Sequence, residues 1–109
     1  MDRATVKALR GSIKKWELIV LGRGTDEGDD NCPLCHMFFD NDCIGCPVSA
    51  RTGHSNCVGS PYAKFVSAVY ADFNSLVDGY EEGGVNAVIG PRSMQAAIDE
   101  YNFLVSLLP

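Results

Sequence analysis

Between Cys32 and Cys57 the chain reads CPLCHMFFDNDCIGCPVSARTGHSNC, and all five cysteines and both histidines of its 109 residues fall inside this stretch. The cysteines form two C-x2-C pairs, Cys32/Cys35 and Cys43/Cys46, followed by a single Cys57. A C-x2-C turn presents two thiolates to one cation while backbone amides face the sulfurs, and two such pairs complete a tetrahedral zinc shell at about 2.3 Å per Zn–S bond. The metal candidates are therefore Cys32, Cys35, Cys43, Cys46 and Cys57. Cys57 could replace Cys43 or Cys46, leaving one cysteine free or merely buried; the two-pair set is favoured slightly over a set of Cys32, Cys35, Cys46 and Cys57. The spacer between the pairs is shorter than the roughly 15–20 residues of a zinc ribbon, so that fold is not expected. His54, three residues before Cys57, is a lower-ranked substitute. His36 directly follows Cys35 and would strain a tight turn.

Four protein ligands close a zinc site and make it structural. Catalytic zinc would need a vacant position and a general base, and neither an H-x-E ahead of P-C-x2-C nor an H-E-x-x-H is present. No Ser/His/Asp motif occurs either, so the chain is expected not to be an enzyme. An iron–sulfur cluster uses the same ligands and stays as the alternative cofactor, although the spacing matches neither the bacterial nor the plant-type ferredoxin run. A redox-active CPLC dithiol would lack the βαβ context of such motifs. Disulfides are disfavoured by the reducing compartment expected for the chain and by the odd cysteine count.

The elements that must hold this stretch are helical. Residues 3–21 place Val6, Leu9, Ile13, Trp16 and Val20 at spacings of three and four, with Asp2 or Thr5 to cap the start and Gly22 or Gly24 to stop it. Gly11 weakens this helix by about 1 kcal/mol relative to alanine. Residues 22–31 (GRGTDEGDDN) read as a solvated acidic loop; neither an EF-hand nor a phosphate loop fits them. Ser60-Pro61 opens a helix over 61–78 with Phe65, Val66, Val69, Phe73, Leu76 and Val77 on one side. After a loop at 79–90, Pro91 opens a helix to 108 whose apolar face holds Met94, Ala97, Ile98, Tyr101, Leu104, Val105 and Leu108. The expectation is a mainly α, single domain over 1–109. Three helices carry an irregular, metal-clipped, zinc-knuckle-like insert at 32–57 between the first two. No internal repeat or low-complexity tract is expected.

The net charge is −5, unevenly spread: residues 1–23 hold six of the nine basic residues against Asp2 and Glu17 alone. Arg3, Lys7, Arg10 and Lys14 form a stripe on the first helix, read first as a solvated face and second as a contact for nucleic acid or an acidic surface. The acidic remainder suits a basic protein partner better than a phosphate backbone. With no signal peptide, and no apolar run near the roughly 20 residues needed to span a bilayer, an intracellular, cytoplasmic location is expected.

The string CPLC…DCIGCPV…C-x-GSPY resembles a pattern found in small, mostly uncharacterised phage-encoded cysteine-rich proteins, over about residues 16–65. The cysteine positions and the GCP turn carry the resemblance; the terminal helices do not. It implies a viral accessory or host-directed protein acting inside the host cell, and it brings no catalytic residues. The function expected is a zinc-stabilised module that binds another protein, one version being an inhibitor of nucleic-acid machinery. The alternatives are a nucleic-acid binder using the first helix and an iron–sulfur or redox protein.

Overall fold

The first helix, α1 (Arg3–Val20), begins where the Asp2 carboxylate accepts the Thr5 amide at 2.7 Å. It ends in a Schellman turn: the Arg23 amide bonds Leu18 O at 2.8 Å, the Gly22 amide bonds Ile19 O at 3.1 Å, and Gly22 sits at φ +75°. Both ends fall close to the positions expected. The buried face matches only at Leu9 and Trp16. It runs Thr5, Leu9, Ser12, Trp16, Ile19, with Ala8 beside it, so small polar residues take core positions and Val6, Ile13 and Val20 are only partly covered.

In this computed structural model the described residues are 1–76 and 90–109, with side chains described to Asp72 and from Gly90 onward. Among them every regular element is helical and there is no strand. The helix begun by Ser60-Pro61 is α4 (Pro61–Leu76), and the one begun by Pro91 is α5 (Pro91–Ser106). The expected end of the former at 78 and nearly all of the 79–90 loop lie outside the described residues, as do the side chains of Phe73 and Leu76.

The segment between α1 and α4 is not an irregular insert. It folds a 3-10 turn (Gly28–Asn31), helix α2 (Pro33–Phe38), a second 3-10 turn (Phe39–Asn41) and helix α3 (Pro47–Thr52). Each of α2 and α3 has six residues, too few to show a periodic apolar face, but each starts with proline at its first position, as α4 and α5 do.

Helices α4 and α5 pack together, and α1 packs against α5 and α2. Trp16 is the hinge of the core, meeting Phe65 edge-on at 4.8 Å and Tyr62 at 5.8 Å between ring centroids. Leu34 from α2 and Val48 from α3, each 3% exposed, join the same core. Gly11 explains itself here: a Cβ on it would lie 2.9 Å from Pro33 Cγ, so its absence lets α2 lie against α1. On α5 the buried stripe is Ser93, Ala97, Glu100 and Leu104, with Ala96 alongside, and Leu107 just past its end is buried too. Met94, Ile98, Tyr101 and Leu108 are half-buried and Val105 is exposed. No helix among the described residues is long and apolar enough to cross a membrane.

Candidate functional site

All five cysteines open onto one cavity of about 320 Å³. Three turns of chain supply them. Cys32 caps α2 and its Sγ accepts the Cys35 amide at 3.3 Å; the Pro33 ring in the first turn sets that geometry. Cys43 and Cys46 lie in the turn before α3, and Cys57 lies in the turn before α4. All five are free cysteines; Cys46 is buried and the other four are partly exposed. Among the described residues no three or more Cys, His, Asp or Glu side chains are drawn together tightly enough to hold a metal ion as they stand.

The two turns carrying Cys43 and Cys57 are copies of one another. The residues read Asp42-Cys43-Ile44-Gly45-Cys46-Pro47 and Asn56-Cys57-Val58-Gly59-Ser60-Pro61. Backbone angles match position by position: φ is +53° and +57° at the first residue, +62° and +61° at the cysteine, +91° and +86° at the glycine. So do the hydrogen bonds. The Cys46 amide reaches Cys43 O at 3.1 Å as the Ser60 amide reaches Cys57 O at 3.1 Å, and the Ile44 and Val58 amides reach back to Asn41 O and Ser55 O at 3.0 and 3.2 Å. Each copy hands over to a helix whose first residue is proline. This corrects the expectation of no internal repeat; six residues with three substitutions are too short to stand out until the shared backbone is seen.

The cavity is also charged in ways the cysteine spacing does not reveal. Lys15 on α1 reaches it, bonded to Asp26 at 2.8 Å with only 8% and 7% of the two side chains exposed. Lys15 bonds Gly28 O as well, Asp26 accepts the Gly28 amide at 3.0 Å, and the Tyr62 hydroxyl donates to Asp26 at 3.0 Å. The acidic loop is thus anchored rather than merely solvated. Glu100 of α5, 3% exposed, faces the same cavity with its Oε1 lacking any hydrogen-bond partner. Burial, then the Cys32 charge, pushes its carboxyl up to about 8, against the pull of Lys15 and the Tyr62 amide.

The thiols differ accordingly. The Cys35 thiol and then its amide hold Cys32 well below the ordinary thiol range, helped by Lys15 and the Ser12 hydroxyl, against burial. Cys35, donating to Cys32 and partly buried, is pushed up in return. Burial raises Cys46, and burial followed by the Glu100 charge pushes Cys57 up to about 12. Burial and then Asp26 raise the Tyr62 hydroxyl.

His54 stands at the cavity rim and is exposed, whereas His36 is exposed with its Nε2 3.1 Å from Asp30 O and does not line the cavity. Arg3, Lys7, Arg10 and Lys14 are all exposed, and Lys14 pairs with Glu17 at 3.1 Å. Lys15, Asp26 and Glu100 were not singled out from sequence. Only Glu100 left a signal, since it falls on the three-and-four spacing through Ala97 and Leu104. No family model matches the chain, and neither a curated protein nor a solved structure does.

Proposed function

We propose that the chain is a non-enzymatic, zinc-stabilised interaction protein, a phage accessory or host-directed factor that binds another protein. The observation that carries the zinc part is the convergence of five thiols, from three separate turns, on a single cavity. A divalent cation would draw four thiolates inward from the cavity wall and tie α2, α3 and the start of α4 to one point. Binding energy at such a site is folding energy, because the unfolded chain has no preformed site. Four thiolates leave no open position for substrate or water, which favours a structural over a catalytic role.

The partner part rests on charge. Beyond residue 23 the chain carries twelve acidic residues against three basic ones, a distribution that steers toward a basic protein surface, including one that ordinarily holds nucleic acid. Direct nucleic-acid binding through Arg3, Lys7, Arg10 and Lys14 is the second reading, favoured by their exposure and opposed by the net charge of −5.

Elemental analysis and an absorbance scan of the purified protein test the metal. The expected result is about one zinc per chain and no visible colour. A brown, iron-containing protein overturns zinc in favour of an iron–sulfur cluster, and a metal-free protein indifferent to chelators overturns both. Salt-dependent binding to DNA or RNA, lost in Lys7→Ala/Arg10→Ala/Lys14→Ala, would replace the protein partner with nucleic acid.

A further inference from the structure

We propose that the metal's four ligands are Cys32, Cys35, Cys43 and Cys57, and that Cys46 is a buried core residue at the N-cap position of α3 rather than a ligand. This assignment rests on the metal reading above and selects within it. It comes from the duplicated turn. Superposing the copies by sequence puts Cys43 on Cys57 and Cys46 on Ser60. The work of Ser60 is visible: its hydroxyl accepts the Tyr62 amide at 3.3 Å and donates to Cys57 O at 2.7 Å, as the residue before the first-turn proline of a helix does. Cys46 holds the same N-cap place ahead of Pro47, in ordinary extended backbone at φ −67° and ψ 131°, with no side-chain hydrogen bond to the first turn of α3. At 7% exposure it belongs to the core.

Cys43 and Cys57 have the opposite character. Both are held in left-handed backbone, which non-glycine residues rarely adopt and for which glycine, asparagine or aspartate would be the low-strain choice. Cysteine gains nothing locally from that conformation. Its use at the same position of both copies, with both thiols on one cavity, is the pattern of strain kept for a site. Each turn then supplies one thiolate, and the Cys32/Cys35 pair supplies the other two from the first turn of α2. The cavity that notionally had five donors for four places resolves into four ligands and one buried core residue.

The test uses the full chain with Zn2+ and Co2+ as probes. Cobalt bound by four thiolates reports ligand identity through its visible and charge-transfer absorption. Cys46→Ser and Cys46→Asn, both helix-capping residues, should bind one metal with the wild-type cobalt spectrum and affinity. Cys43→Gly and Cys57→Gly, which relax the left-handed backbone rather than strain it, should stay helical by circular dichroism yet weaken metal binding by at least about 100-fold, beyond what loss of an outer contact causes. A changed cobalt spectrum in both Cys46 variants, or an unchanged one in either glycine variant, overturns the assignment while leaving the metal site standing. A wild-type chain that binds neither ion removes the metal reading itself, and this assignment with it.

Discussion

Lys15 carries its ammonium 2.8 Å from Asp26 with 8% and 7% of the two side chains exposed, whereas Lys14 holds Glu17 at 3.1 Å with 62% and 41% exposed. The second pair is screened by water and contributes little. The first is a different matter. Replacing Lys15 by methionine leaves Asp26 as a buried carboxylate whose cationic partner is gone, and the expected loss is about 3–5 kcal/mol in a urea titration. Tyr62→Phe, which removes only the hydroxyl bond to the same carboxylate, should cost about 1 kcal/mol. A Lys15→Met loss no larger than that of Lys14→Met would show that the pair does not anchor the acidic loop. Nothing in the run Lys14-Lys15 told the two apart, because burial of Lys15 is decided by where Asp26 and Tyr62 arrive, eleven and 47 positions later. The cysteines were legible as a group because their spacings are short, and they do line one cavity. The groups that surround them come from distant helices and left no such spacing.

Helix ends were written locally and helix faces were not. Asp2, Gly22, Ser60-Pro61 and Pro91 act through their own backbone neighbours, so each was readable in place. Thr5, Ser12 and Ser93 are buried because a close helix contact needs small residues there, and a search for apolar periodicity passes over them. The cap of α5 shows the same divide, since it is supplied from α4. Asp72 Oδ2 accepts the Ser93 amide at 2.8 Å and its hydroxyl at 2.7 Å, while Arg92 lies 3.4 Å from Oδ1. Burial alone would raise the Asp72 carboxyl, but these bonds outweigh it and hold it below its ordinary value. A carboxyl lowered in the folded state adds stability that is present above its unfolded value near 3.9 and is lost as the pH falls through the folded one. Asp72→Ala should therefore lower the midpoint of thermal unfolding at neutral pH and lessen its fall in acid. A mutant curve parallel to wild type below about pH 4 would remove Asp72 from the acid response. Gly11 offers a reversal of sign. Helix propensity alone has Gly11→Ala stabilising by about 1 kcal/mol, yet the new Cβ would meet the Pro33 ring at 2.9 Å. That ring cannot swing aside, so a lowered midpoint is expected, and a raised one would mean α2 is free to shift.

Under the zinc reading two kinds of cohesion meet in the whole molecule, and removing the metal should separate them. Helices α1, α4 and α5 share a core of Leu9, Trp16, Phe65, Val69, Ala97 and Leu104, each 3% exposed or less. From the 32–57 stretch Leu34, Cys46 and Val48 are buried in that core, and Cys32, Phe38, Cys43 and Cys57 pack against it half-buried. Ile44 and Val58, at the tips of the duplicated turns, are 67% and 52% exposed. A segment with so little apolar burial of its own needs another source of order, and under the zinc reading the ion supplies it. Chelation should then act regionally. Amide hydrogen exchange across residues 32–57 should quicken sharply while α1 and α5 keep their protection, with far-UV circular dichroism falling only by the share of α2 and α3. The same pattern should follow from Cys32→Ser without chelator, together with a lowered melting midpoint. Uniform loss of protection along all three long helices would mean that the core cannot stand without the metal. No change anywhere would mean that Leu34, Cys46 and Val48 suffice to hold the stretch, and that the convergence of five thiols on one cavity serves something other than stability.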